Sequence, residues 1–351
     1  MQYSGNIIKV ERDLSFKFEF NDGAPNMQEI TAGQYPHVLD DKMYYETADP
    51  RQVRYVVWNG KEYTYPENDV ILEKSGACHN FRAFVDENPN TTTKYKAIGG
   101  FDMHKNHPDL SDCEFSKNLE DVSYPGTLGR PRIGFKEDCN HPRHANGLYI
   151  FSSDDGIKWD NYSKKPIFSY RTETKSHPHT LSFDWMPSVV WNGEEYRVFI
   201  RSNIKLRVRN VFTSTSKDLL NWSTPELVNF PNFDMQRSNY YFFDCYYINN
   251  KYVGFAPHFK HWADNGPGPN PRFNECHTSV LTSEDGINWK EVDRILIPGR
   301  AGHLTFPHVT SVRKEGSQYA LYVNENFLKT PCSGFLSKFT IKEENLLSCI
   351  S

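Results

Sequence analysis

No Cys-x-x-Cys pair occurs in this 351-residue chain, although it holds 7 cysteines. They are scattered as Cys78, Cys113, Cys139, Cys245, Cys276, Cys332 and Cys349. An odd, dispersed set argues against a disulfide framework and for reduced thiols. Long apolar runs are missing too. Nothing reaches the length of a bilayer span, and the opening MQYSGNIIKVERDLSFKFEF lacks the apolar centre of a secretory signal. Nor is there an excess of one charge: 40 basic and 44 acidic residues leave a net charge of −4. That balance offers no electrostatic grip on nucleic acid or an anionic membrane. The expectation is a cytoplasmic protein with neither of those partners, in which the glycosylation sequons at Asn90, Asn161 and Asn221 are without consequence.

What the chain has instead is aromatics, at 15% of residues, together with 21 Gly and 21 Pro. Such a composition favours strands and turns over long helices. The length allows two domains or one large closed all-β architecture.

An internal repeat decides between them. SSDDGIKW (152–159), STSKDLLNW (214–222) and LTSEDGINW (281–289) end alike, with Trp159, Trp222 and Trp289 recurring at intervals of about 65 residues. In each, an Asp can bond the backbone of its own turn while the Trp anchors that turn to the sheet. Upstream of each lies a hairpin pattern, such as MPSVVWNGEEYRVFIRS (186–202) with its Asn-Gly turn and CYYINNKYVGFAPHF (245–259) with Asn-Asn. HVTSVRKEGSQYALYVNENF (308–327) and NFRAFVDENPNTTTKYKAIGG (80–100) repeat it, and RYVVWNGKEYTYP supplies a fifth. A hairpin, a third strand and a Trp turn make a unit the size of a four-stranded propeller blade. The expected fold is therefore all-β, a five-bladed β-propeller of four-stranded antiparallel blades forming one domain over 1–351. It carries a loop insertion at about 102–146, and the C-terminal GFLSKFTIKEENLLS is expected to close the ring beside the 30–75 hairpin.

In a propeller, the starts of first and third strands and the ends of second strands share one rim. That rule gathers Asn80, Arg82, Asp102, Asp184, Arg201, Arg207, Asp244, His258, Glu275, His303, His308 and Glu325, with Trp185, Tyr240, Tyr241 and Trp262 nearby. Asp86 and Glu194 fall at hairpin turns on the opposite side, where Asp86 reads as a turn residue. Convergent carboxylates with flat aromatic platforms suit a sugar, because acids move protons at the glycosidic oxygen while rings stack on sugar faces. The arginines can pair an anionic sugar or bridge blades. Within 102–146, His104, His107, Asp112, Cys113, Cys139, His141 and His144 meet no standard finger spacing, so the segment reads as a rim loop and no metal or cofactor is expected.

FDWMPSVVWNGEEY and FFDCYYINNKY resemble the second and third blades of the five-bladed glycoside hydrolases of families 32 and 43. The chain is also similar to uncharacterised hydrolase-like propellers. The resemblance implies one acid at the head of the first strand in three successive blades. Asp184 matches the aspartate taken as transition-state stabiliser or pKa modulator, and Asp244 matches the general acid, a glutamate in those families. The first-blade position reads Asn80, where the families hold a nucleophile or base. The DDGIKW turns resemble the structural Asp-boxes of sialidases.

The sequence thus points to a carbohydrate-active enzyme, a glycosidase acting on an oligo- or polysaccharide that can be anionic. Asp184, Asp244 and Glu275 are its catalytic candidates, and Asn80, Arg82, Asp102, Arg201, His258 and His308 its substrate-binding ones. A phosphorylase or transferase on the same fold, or a non-catalytic glycan-binding propeller, is the alternative that Asn80 keeps open.

Overall fold

Runs of alternating aromatic and β-branched residues, cut by left-handed turn positions, dictate the strands. Asn249 and Asn250 sit at φ 51° and 61° in the hairpin they close, the conformation that Asn tolerates better than other side chains. A computed structural model describes residues 8–19, 34–48, 51–73, 80–100, 147–168, 172, 175, 186–205, 208–230, 238–240, 243–260, 275–298, 307–325 and 335–351.

In chain order the strands are β1 (Glu11–Glu19), β2 (Gln34–Leu39), β3 (Lys42–Ala48), β4 (Arg51–Trp58), β5 (Tyr63–Thr64), β6 (Val70–Glu73), β7 (Arg82–Val85) and β8 (Tyr95–Gly99). Next come β9 (Tyr149–Ser153), β10 (Asp160–Asn161), β11 (Ser188–Trp191), β12 (Tyr196–Lys205), β13 (Val208–Ser216), β14 (Glu226–Leu227), β15 (Ser238–Tyr240) and β16 (Asp244–Ile248). The last are β17 (Lys251–Lys260), β18 (Glu275–Ser283), β19 (Lys290–Pro298), β20 (His308–Glu315), β21 (Gln318–Asn324) and β22 (Phe335–Lys342), followed by helix α1 (Glu343–Ile350). They form five antiparallel sheets with the paths β2-β3-β4-β5, β7-β8-β9-β10, β11-β12-β13-β14, β15-β17-β18-β19 and β20-β21-β22-β1. Each sheet is a blade, and the fold is a five-bladed β-propeller.

Residue contacts divide the chain into two compact units, one of 1–50, 54–69 and 228–351, the other of 51–53 and 70–227. The first unit contains the β15–β19 and β20–β22 blades and the β2–β5 blade apart from residues 51–53 of β4. A core of Phe255, Val280, Val309, Leu321, Val323 and Ile341 joins the β15–β19 and β20–β22 blades, and Leu346 and Ile350 of α1 pack into it. Fully burying each such side chain stabilises by roughly 1.5–3 kcal/mol. The second unit holds the β7–β10 and β11–β14 blades around Ile98, Ile150, Val198, Ile200 and Phe212.

The chain ends differ from the sequence reading. Strand β22 is the third strand of the last blade rather than a partner of the 30–75 hairpin, and β1 from the N-terminal segment supplies the fourth, pairing Glu11 with Thr340 and Phe18 with Leu336. The end of the segment expected to close the ring is helical, as part of α1 (EENLLSCI). Glu343 and Glu344 favour the positive end of its dipole, while Leu346 and Ile350, four apart, share the buried face.

All three Trp turns join a third strand to a fourth and are built alike. Asp155 Oδ1 accepts from the N–H of Ile157 and Lys158, at 2.8 and 2.9 Å. Asp218 does the same for Leu220 and Asn221, and Asp285 for Ile287 and Asn288. The indole Nε1–H groups of Trp159, Trp222 and Trp289 donate to the carbonyls of Gly156, Leu219 and Gly286. Each Trp then packs on an aromatic ring, Trp159 on Phe81, Trp222 on Phe168 and Trp289 on Phe243. Gly254 is forced by the last of these contacts, since a Cβ there would lie 2.7 Å from the Phe243 ring.

Candidate functional site

In the blade of β15–β19 the first-strand position is split. β15 pairs with His258–Lys260 and β16 with Lys251–Phe255, so the strand restarts at Asp244. Asp244 is 1% exposed among apolar neighbours, a placement that demands a partner. His308, the first residue of β20 in the next blade, provides one: its Nε2 lies 2.7 Å from Asp244 Oδ2, and His308 is itself fully buried. An imidazole donating through Nε2 to a carboxylate fixes the ring's orientation and tautomer. Sequence reasoning named both residues but assigned them separate roles.

Glu275 is the first residue of β18, opposite Lys260. His258 lies near the end of β17, paired across the sheet with Tyr240 on one side and His277 on the other. Its ring stacks at a tilt on Tyr240, with centroids 4.8 Å apart, and meets His277 edge to face at 5.1 Å. Glu291 of β19 brings Oε1 to 3.6 Å from His258 Nδ1. His277 and Glu291 were missed from sequence because neither stands at a strand head. The available signal was the pairing register that sets His277 opposite His258. Glu325, just past β21, is bound at 2.7 Å by Arg12 of β1.

The second unit carries Asn80, Arg82 and Arg201. Asn80 is fully buried at φ 58° two residues before β7 begins, a backbone state that favours Asn and Asp over most residues. Arg82, the first residue of β7, is 7% exposed and Arg201, within β12, is 2% exposed. Guanidinium groups so deeply placed need partners, and each has at least one polar, ring or electrostatic interaction. Asp86 sits one residue past β7 and is bound by Lys96 Nζ at 3.1 Å and by the Tyr196 hydroxyl at 2.7 Å. Asp184, Asp102, Arg207, His303, Trp185, Tyr241, Trp262 and the His- and Cys-bearing insertion lie outside the described residues. Among the described residues Cys349 is a free thiol. No described helix is long and apolar enough to cross a membrane.

No protein-family model and no curated protein matches the sequence. Solved structures do. A glycoside hydrolase superposes with TM-score 0.53 at 14% identity, over 95% of this chain and 92% of its own. The fold is shared with propeller glycoside hydrolases. An N-acetylgalactosamine deacetylase from F. plautii, in complex with blood group B trisaccharide, matches at TM-score 0.50 and 12% identity over 98% of both chains. A family 32 β-fructofuranosidase from Bombyx mori, in complex with sucrose, matches at 0.52 and 14% identity over 89% of this chain and 60% of that one.

Proposed function

We propose that the chain is a carbohydrate-active enzyme, a glycosidase acting on an oligo- or polysaccharide, with Asp244 as its proton donor. The observation that carries this reading is the buried Asp244–His308 pair at the head of a blade's first strand. Cleaving a glycosidic bond requires a proton at the leaving oxygen as positive charge develops on the sugar ring. Asp244 delivers it, and His308 orients the carboxyl. The acid that serves the incoming water or phosphate is left to the two sequence candidates, Glu275 and Asp102, and the Asp244–His308 pair does not depend on which it is. The neighbours' sugar chemistry supports the substrate class: sucrose is bound in one and a blood-group trisaccharide in another.

A phosphorylase or glycan-binding variant is favoured by one feature, the amide of Asn80 where the resembled families hold an acid. One experiment separates the readings. A panel of oligosaccharides is incubated with and without inorganic phosphate, using wild type and Asp244→Asn, and product release is measured. Hydrolysis by wild type that Asp244→Asn loses is the expected result, and turnover only with phosphate selects the phosphorylase. Unchanged turnover in Asp244→Asn removes the assigned acid. Binding without product for every glycan leaves a binding module.

A further inference from the structure

On the opposite side of β17 from Asp244 stands a second cluster, to which the proposed proton transfer gives no part. Asp244 pairs with Phe255 and so shares its face. His258 is three residues further along β17 and points the other way. There it faces its cross-strand partner His277, and β19 adds Glu291. The register explains how a third strand reaches the pair. Irregularities between Thr278 and Val280, and between Val280 and Leu281, shift β19 so that Glu291 pairs with Leu281, on the His277 face. Ser279 Oγ then donates to Glu291 Oε1 at 2.8 Å and fixes that carboxylate toward the imidazoles.

From this geometry we propose that His258, His277 and Glu291 bind a zinc-class divalent cation. One donor atom from each lies within 4.8 Å of the others. Tetrahedral bonds of about 2.0–2.1 Å set donors roughly 3.4 Å apart. His258 Nδ1 and Glu291 Oε1 stand at 3.6 Å, near that spacing. Small side-chain rotations close the rest. Two imidazoles and one carboxylate form a borderline-soft set that suits zinc over calcium or magnesium, which prefer all-oxygen sites. His258 and His277 are 4% exposed, whereas the Glu291 side chain is 24% exposed, which gives the ion a route in. Three protein ligands leave a fourth position for water, and the Ser279 hydroxyl supplies the outer-shell bond that orients a ligating carboxylate.

The test uses the full-length protein, stripped with chelator and titrated with zinc chloride by calorimetry. It runs beside His258→Ala, His277→Ala, Glu291→Gln and a Cys139→Ser, His141→Ala, His144→Ala control in the insertion. One zinc per chain is expected for wild type and control. Each site variant is expected to lose more than the roughly 10–100-fold that an outer-shell change costs. Cobalt(II) loading should give visible absorption that His277→Ala abolishes. Histidine truncation in a buried face can unfold the blade, so Glu291→Gln, isosteric and at a partly exposed position, carries the decision. Wild-type affinity in that variant overturns the proposal, as does a wild type that binds no zinc, or binding lost in the insertion control and kept in the site variants. None of these readouts depends on glycan turnover.

Discussion

His308 Nε2 meets Asp244 Oδ2 at 2.7 Å, tying the first strands of two blades together across 64 residues of sequence. Both side chains are shut off from water, so the contact replaces hydration that each group has lost. Removing one member therefore costs more than a surface bond would. Asp244→Ala should destabilise by about 3–5 kcal/mol, the loss typical of breaking a buried pair. Asp244→Asn keeps a hydrogen-bonding side chain and should cost only about 1–3 kcal/mol. In turnover the order reverses in importance: Asn cannot donate the catalytic proton, and a loss of about 10²–10⁴-fold is expected. Urea unfolding and product release on the same samples check both. An Asp244→Asn variant that is stable and fully active would reduce the pair to a structural strut.

The three aspartate turns predict a specific acid response. Burial pushes the Asp285 carboxyl up, but the N–H groups of Asn288 and Ile287, the Asn288 amide and the Ser283 hydroxyl outweigh it and bring it down to about 2. Asp155, held by the N–H groups of Lys158 and Ile157, is also lowered. A folded pKa below the unfolded value of about 3.9 means that the folded state binds fewer protons. The stabilisation is thus fully present above about pH 4 and is lost as the pH falls toward the folded value of about 2 for Asp285. Carboxyl chemical shifts of Asp285 followed from pH 6 to 1.5 check this, and a midpoint near 4 would refute it. Asp285→Ala should cost about 1 kcal/mol, comparable to losing a helix cap, and should flatten that part of the pH profile.

Those turns were legible because everything they need is local: an Asp, two N–H groups within three residues and a Trp that returns to the same turn. Hairpin turns such as Asn249–Asn250 were legible for the same reason. Asp244 stood out because a carboxylate in an aromatic strand breaks the alternation. Its link to His308 was hidden, since it depends on how two blades pack. The cluster of His258, His277 and Glu291 was hidden by register: only a strand irregularity brings Glu291 alongside. The N-terminal strand's partner was illegible too, because nothing within ERDLSFKFE distinguishes one open sheet edge from another.

Leu219 occupies the turn position that Gly156 and Gly286 hold in the sister repeats, with φ of 65° against 74° and 71°. The left-handed conformation costs a side chain about 1–2 kcal/mol. Leu219 is 1% exposed and packs with Val198 and Phe212, and truncating a buried Leu costs about 2–5 kcal/mol. Packing wins, so Leu219→Gly should destabilise by a net of about 1–3 kcal/mol. Leu219→Ala loses most of the same packing and keeps the strain. It should therefore be less stable than Leu219→Gly, although it removes fewer atoms. Urea midpoints of the two variants decide, and the reverse order would show that the backbone at this turn relaxes.

Asp86 and Lys96 form a buried ion pair at 3.1 Å, with side-chain exposures of 1% and 3%. Lys96 is also bonded to the Thr91 and Thr93 hydroxyls, and Tyr196 donates to the other carboxylate oxygen. Burial raises the Tyr196 phenol well above its ordinary range, and the hydrogen bond to Asp86 raises it further, so it remains a donor through any working pH. Lys96→Met strands the carboxylate and should cost about 3–5 kcal/mol. Tyr196→Phe removes one of its bonds and should cost about 1–3 kcal/mol. Because both changes act on one carboxylate, the double variant should deviate from additivity by about 0.5–3 kcal/mol. Simple additivity in a double-mutant cycle would mean that Lys96 and Tyr196 hold Asp86 independently. A spectrophotometric titration that finds Tyr196 ionising before the chain unfolds in alkali would remove it as a donor altogether.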